Sequence, residues 1–185
     1  MSHALPLPAR SSLEQYKKVA KDLLQAAQFT DPDALCHWSE RLSEPGAQRI
    51  EHDLRKHPVT KLSEAQFLVA RSYGFGSWPK FASHVEAVAK VGSPLSSFES
   101  AVDAIIDGNT EMLATLLNHD PSLITARSTR EHRGTLLHYV AANGVEDFRE
   151  KTPATIVAIT RVLLDSGAIR TPSPAPTADV PLLSR

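Results

Sequence analysis

Apolar residues recur at helical spacing wherever they are dense in this chain. Between residues 13 and 28, Leu13, Tyr16, Ala20, Leu23, Leu24 and Ala27 fall on one stripe, with Lys17, Lys18 and Lys21 on the other side. The preceding Ser12-x-x-Gln15 is a capping-box pattern, in which the serine accepts from the N3 amide while the glutamine reaches back. Asp31 as N-cap and Pro32 in the first turn open a second helix carrying Leu35, Trp38 and Leu42, which Pro45-Gly46 ends. A third, over about residues 47–56, carries Ile50 and Leu54 and stops before His57-Pro58, because the residue before proline is pushed out of the helical region. Ser63-x-x-Gln66 repeats the capping box and opens a helix through Tyr73, closed by Gly74; Ser77 then caps a helix over about 78–90. Farther on, Phe98–Asp107 and Met112–Leu117 read as two short helices joined at Gly108. Thr152-Pro153 supplies an N-cap and a first-turn proline for the last helix. The fold class expected is all-α.

Val91-Gly92-Ser93-Pro94 is the best boundary, since turn formers there separate two helical runs. It divides an N-terminal helical region, 1–91, from a second region, 92–170. Residues 1–11 form a proline-punctuated leader. Thr171-Pro172-Ser173-Pro174-Ala175-Pro176 cannot continue a helix, so 171–185 is expected to be a mobile tail.

Composition narrows the function classes. The 185 residues suffice for one or two domains with a buried core, and 42% apolar with 22% charged content is ordinary for a globular protein. A net charge of −1 gives the whole chain no electrostatic claim on nucleic acid or anionic membrane. The single cysteine, Cys36, excludes an intramolecular disulfide and fits a reducing cytoplasm. Its bland reading, a small buried hydrophobe, is favoured over a reactive thiol beside His37, because adjacent helical residues point in different directions. No run of about 18 apolar residues suggests a membrane span, and the N-terminus does not read as a secretion signal.

Candidate chemistry is sparse. Cys36, His37, His52 and His57 lack the paired spacings of a structural zinc site. No phosphate-cradling glycine loop, G-x-S-x-G elbow or H-E-x-x-H occurs. The helix pair at 63–90 has the outline of a helix-turn-helix DNA reader, with Ala70 and Gly74 at the right mutual spacing. Against that, Lys80 falls where a buried aliphatic residue is wanted and Pro79 lies in the would-be recognition helix. Seven basic against four acidic residues over 49–90 is a weak excess for binding phosphates. Trp78 and Phe81 read as core anchors before base-stacking platforms.

The stretch Gly134-Thr135-Leu136-Leu137-His138-Tyr139-Val140-Ala141-Ala142-Asn143-Gly144 resembles the first helix of an ankyrin repeat, whose usual form is T-P-L-H-x-A-A-x-x-G. Leu136 stands in place of the proline and Val140 in place of the first alanine. The second half follows as Ile159–Ala168, with Leu163, Leu164 and Gly167. Gly144 to Leu164 spans 20 residues against nine in the family, so about 11 residues are inserted, around Val145 to Thr152. Gly108 precedes Leu116-Leu117 by the family spacing, although Glu99 to Val102 occupy the place of T-P-L-H. The block Ala65-Gln66 through Lys80-Phe81 looks like the helical leader that precedes ankyrin repeats in some bacterial proteins.

The resemblance implies a short α-solenoid of about two ankyrin-like repeats, 95–124 and 125–168, after the helical region. It further implies non-enzymatic protein–protein binding in the bacterial cytoplasm, with neither cofactor nor metal, and with DNA binding through 63–90 as the alternative. By position match, Thr125 to Arg133 is a projecting, solvent-facing finger that offers Arg127, Arg130, Glu131, His132 and Arg133 to a partner. Tyr139, Ala142 and Asn143 occupy the variable helix face. Thr135, Leu137, His138, Ala141, Gly144, Leu163, Leu164 and Gly167 are the motif's structural positions. In the insertion, Phe148 lies among charges and could be a contact or a local staple. The partner expected is another protein, with self-association through the uncapped end near Ile156, Ile159, Leu163 and Leu164. Neither membrane nor nucleic acid is expected as a partner.

Overall fold

The computed structural model describes residues 12–28, 52, 54, 59–141 and 152–168. The leader, the helix expected from Asp31, most of the one expected over 47–56, the insertion after Gly144 and the tail lie outside them. So do Cys36, Ala142, Asn143, Gly144 and Phe148. The described residues form seven α-helices and one 3₁₀ turn, with no strand among them. They are α1 (Leu13–Gln28), α2 (Leu62–Ser72), α3 (Trp78–Ala89), α4 (Pro94–Asp107), α5 (Thr110–His119), the 3₁₀ turn Pro121–Ile124, α6 (Leu136–Val140) and α7 (Ile156–Asp165).

The caps explain where these helices begin. Ser12 N–H donates to Gln15 Oε1 at 2.6 Å and Gln15 N–H to Ser12 Oγ at 3.4 Å, the reciprocal box expected at α1. At α2 the box differs from the expected one. The helix begins at Leu62, with Ser63 inside its first turn, and Glu64 rather than Gln66 reaches back. Its Oε2 accepts from Lys61 N at 3.0 Å and Thr60 N at 2.8 Å. A carboxylate is the stronger acceptor and is favoured at the positive end of a helix. Ser77 caps α3 by accepting from Lys80 N, and Ser93 caps α4 by accepting from Ser96 N at 3.0 Å.

Three helices end in one way. Phe75 N–H reaches Ala70 O while Gly74 N–H reaches Arg71 O. Asn109 and Gly108 bond Ala104 and Ile105 likewise, as do Ala168 and Gly167 with Leu163 and Leu164. This paired 6→1 and 5→2 pattern is the Schellman cap, and each glycine has a positive φ. The last helix starts three residues beyond Pro153, a correction to the expected Thr152 cap. Thr155 occupies the cap position, and its hydroxyl donates to Gly108 O at 2.8 Å instead of closing its own helix.

Two hydrophobic clusters result. The first gathers Tyr16, Val19, Ala20 and Leu23 of α1, Val59, Ala65, Leu68, Val69 and Ala70 at α2, then Phe75 and Phe81. The second joins Phe98, Val102 and Ile105 of α4 to Leu113, Leu117, Leu123, Leu136, Tyr139, Ile159 and Leu163. Between them the turn at Gly92 is tight. Ser93 Oγ donates to Ala87 O at 2.8 Å, and α3 packs directly on α4.

Candidate functional site

The segment between the 3₁₀ turn and α6 is where sequence expectation and structure differ most. Ser128 N–H donates to Gly134 O at 2.8 Å, Arg133 N–H to Arg130 O at 3.1 Å, and Arg127 Nη1 to Arg133 O at 3.0 Å. These bonds close a loop whose residues alternate along its length. Arg127, Thr129, Glu131 and Arg133 are exposed, while Ser128 and Arg130 are buried. The finger therefore does not project as a wholly solvent-facing element. Its inner row lies against α3, α4 and the α2–α3 turn.

Arg130, expected on the exposed finger, is only 3% exposed. Its guanidinium donates through Nη1 to Glu99 Oε1 at 2.6 Å and through Nη2 to Glu99 Oε2 at 3.3 Å, and Glu99 is 1% exposed. The guanidinium carbon sits 5.5 Å from the centre of the Phe75 ring. His84, itself 8% exposed, places Nδ1 2.7 Å from Thr129 Oγ1 and Nε2 4.0 Å from Glu99 Oε1. Glu131 N–H donates to Gly74 O at 3.0 Å. The physical reason for the correction is Glu99. A carboxylate on the buried face of α4 costs several kcal/mol unless a cation meets it with good geometry, and the planar fork of an arginine does so.

Tyr139 also departs from expectation. It is buried in the second cluster, with its ring centroid 6.3 Å from Phe98 and 5.7 Å from His132. The α6 face it occupies looks inward, because a helix of five residues in this position has to bury its aromatic ring to hold itself down. His132 is half-buried. Its Nδ1 accepts from Gly134 N–H at 2.9 Å, which leaves the proton of a neutral ring on Nε2, 3.5 Å from the Tyr139 hydroxyl. At the start of α6, His138 Nδ1 accepts from Thr135 N–H at 3.1 Å and lies 2.9 Å from Thr135 Oγ1. Leu137 and His138 are half-buried and Ala141 is exposed. On α7, Ile159 and Leu163 point into the core, which removes them from the open end where they were expected. Ile156 is half-buried, and the apolar exposure is at Val157 (67%) and Leu164 (49%).

The structure thus brings Arg127, Glu131 and Arg133 together on one outward row, and separates Arg130 and Tyr139 from it. His84, Glu99 and Arg130 are the residue types of an acid–base site. Here all three are buried, and the arginine fork occupies both carboxylate oxygens. No group of three or more histidine, cysteine or acidic side chains able to hold a metal occurs among the described residues. None of the described helices is long and apolar enough to cross a membrane. In the α2–α3 pair, Phe81 is buried and Trp78 packs on it at 5.6 Å, so both serve the core, while Pro79 and Lys80 are exposed.

Sequence reasoning missed Glu99, His84 and Thr129. For Glu99 a signal existed: it sits four residues after Leu95 and three before Val102, on the apolar stripe of its helix. A charge on a core face demands a buried partner. Nothing local marks which arginine answers it, 31 residues away.

No family model, curated protein or solved structure matches this chain.

Proposed function

We propose that the protein is a non-enzymatic protein-binding module of ankyrin-like type. It would act in the bacterial cytoplasm and read another protein with the outward row Arg127, Glu131 and Arg133. The observation that carries this reading is the alternation along the finger. Because Ser128 and Arg130 are buried, the exposed side chains that flank them are held on a fixed backbone. A loop ordered before binding avoids much of the entropy cost of ordering on contact. Arginines are also over-represented among residues that dominate binding energy. The mixed charges of the row suit a partner surface carrying both signs, with carboxylates facing the two guanidiniums.

Affinity capture from lysate, with and without nuclease, tests this reading. The comparison is between the wild type and Arg127→Ala/Glu131→Ala/Arg133→Ala, all exposed positions whose loss leaves the cores intact. A nuclease-resistant protein retained by the wild type and lost in the triple variant is the expected result. Retention of duplex DNA that weakens steeply with salt would instead move the assignment to α2–α3. A companion reading, self-association through α7, now rests on Val157 and Leu164 rather than on Ile159 and Leu163. A strict monomer by light scattering at high concentration would remove it.

A further inference from the structure

We propose that the pocket formed by Glu99, Phe75 and His84 is a guanidinium-binding site that the chain fills with its own Arg130, which makes the finger a latch keyed by that side chain. The fork on Glu99 matches a guanidinium and not simply a cation, and the surrounding groups favour the charge and hold the loop. Both oxygens of Glu99 are engaged by the fork, at 2.6 and 3.3 Å. A compact ammonium can bond them only as a point charge. The Phe75 ring lies 5.5 Å from the guanidinium carbon, within reach of a cation–π attraction. His84 borders the carboxylate at 4.0 Å while its other nitrogen holds Thr129 of the same loop. The aliphatic stem runs beside Gly74, where an added Cβ would lie in ordinary contact, 3.5 to 3.8 Å, with the Arg130 Cδ, Cβ and Cγ.

The docking that follows is all-or-none. Glu99 is buried with the loop in place, so a half-docked loop leaves that carboxylate out of water without its arginine fork. The loop is also anchored on the first core by the Thr129–His84 contact and the Glu131–Gly74 backbone bond. These two are ordinary hydrogen bonds, each far weaker than the cost of stranding the carboxylate. Release of Arg130 therefore releases the loop as a unit. It opens a cradle that an arginine side chain from elsewhere can enter with the same geometry. The inference is independent of the protein-binding reading, because its readout needs no partner.

The test is amide hydrogen exchange on the full-length chain. The Glu131 N–H, which bonds Gly74 O, reports the latch, and the amides of Leu23, Val69 and Ile105 report the two cores. Arg130→Ala should cost Glu131 at least about 100-fold in protection while the core amides keep theirs. Millimolar ethylguanidinium should then restore that protection saturably, whereas ethylammonium should not. Adding Glu99→Gln to Arg130→Ala should abolish the rescue. Arg130→Lys, which keeps the charge and loses the fork, should behave as the unrescued variant and guards against a merely unfolded alanine mutant. Unchanged Glu131 protection in Arg130→Ala overturns the proposal. So does equal rescue by the ammonium, absence of rescue, or a lysine variant as well protected as the wild type.

Discussion

The first core is closed by rings and the second by branched aliphatic side chains. In the first, Phe81 is surrounded by Tyr16 at 4.8 Å, Tyr73 at 5.3 Å, Phe75 at 5.4 Å and Trp78 at 5.6 Å. The Tyr16 and Phe81 planes cross at 78°, the edge-to-face arrangement that aromatic quadrupoles favour. In the second, short helices meet through Val102, Ile105, Leu113, Leu117, Ile159 and Leu163, and their ends are turned by glycine caps. The difference teaches where each core is vulnerable. Few large side chains carry the first, so its weak points are residues. Backbone turns that bring short helices together carry the second, so its weak points are conformations. Between the two lies the finger loop, whose inner row belongs to the second region by sequence and touches the first in space.

The largest expected effect comes from removing the ring at the centre of the first core. Phe81→Ala should destabilise the protein by about 3–5 kcal/mol, because four neighbouring rings cannot collapse into the space. Thermal or urea unfolding followed by tryptophan fluorescence checks it. A loss below about 1 kcal/mol would mean that the aromatic cluster is less interlocked than its geometry indicates.

Next in size is a backbone effect in the second core. Gly108 has φ +76°, and a Cβ there would come within 2.6 Å of Thr155 Oγ1 and 2.8 Å of Pro153 Cβ. Gly108→Ala meets both the left-handed strain, about 1–2 kcal/mol, and a collision that pushes the start of α7 away. Gly92 offers the control. Its φ is +79° with nothing within 4 Å of an added Cβ, so Gly92→Ala should show the strain alone, about 1 kcal/mol. Equal losses for the two variants would show that the packing of Pro153 and Thr155 on Gly108 contributes nothing.

The same division governs how much could be read from the chain itself. Helical content and the glycine stops at 74, 108 and 167 are local, set by periodicity and by the need for positive φ, so they are legible from sequence. Ser12 and Ser77 declare their caps for the same reason. The α2 start differs from the expected one because Ser63-x-x-Gln66 and Lys61-x-x-Glu64 compete within one turn, and the stronger acceptor wins. Arg130 and Tyr139 read as surface residues and are buried, because sequence position places a residue on an element and not against its neighbours. Whether a finger projects or docks depends on Glu99 and His84, contributed by α4 and α3. Those contacts span 31 and 45 residues, beyond the reach of any local pattern.

The smallest effect is electrostatic and confined to the entry of α2. The backbone amides of Thr60 and Lys61 hold the Glu64 carboxyl below the ordinary carboxylate range, with Lys61 adding a weaker attraction. A carboxyl depressed in the folded state adds stability that is present above its unfolded value, about 4.3, and lost as pH falls through the folded value. The Thr60 and Lys61 amide resonances should therefore titrate together with a midpoint below about 4.3, and Glu64→Gln should abolish that step. The caps of α4 and α5 give the contrast. Ser96 N–H is held by a serine hydroxyl and Met112 N–H by the Asn109 side-chain oxygen, neither of which titrates in this range. A Glu64 midpoint at or above the unfolded value would show that the carboxylate does not hold those two amides in solution, and that α2 begins from the serine after all.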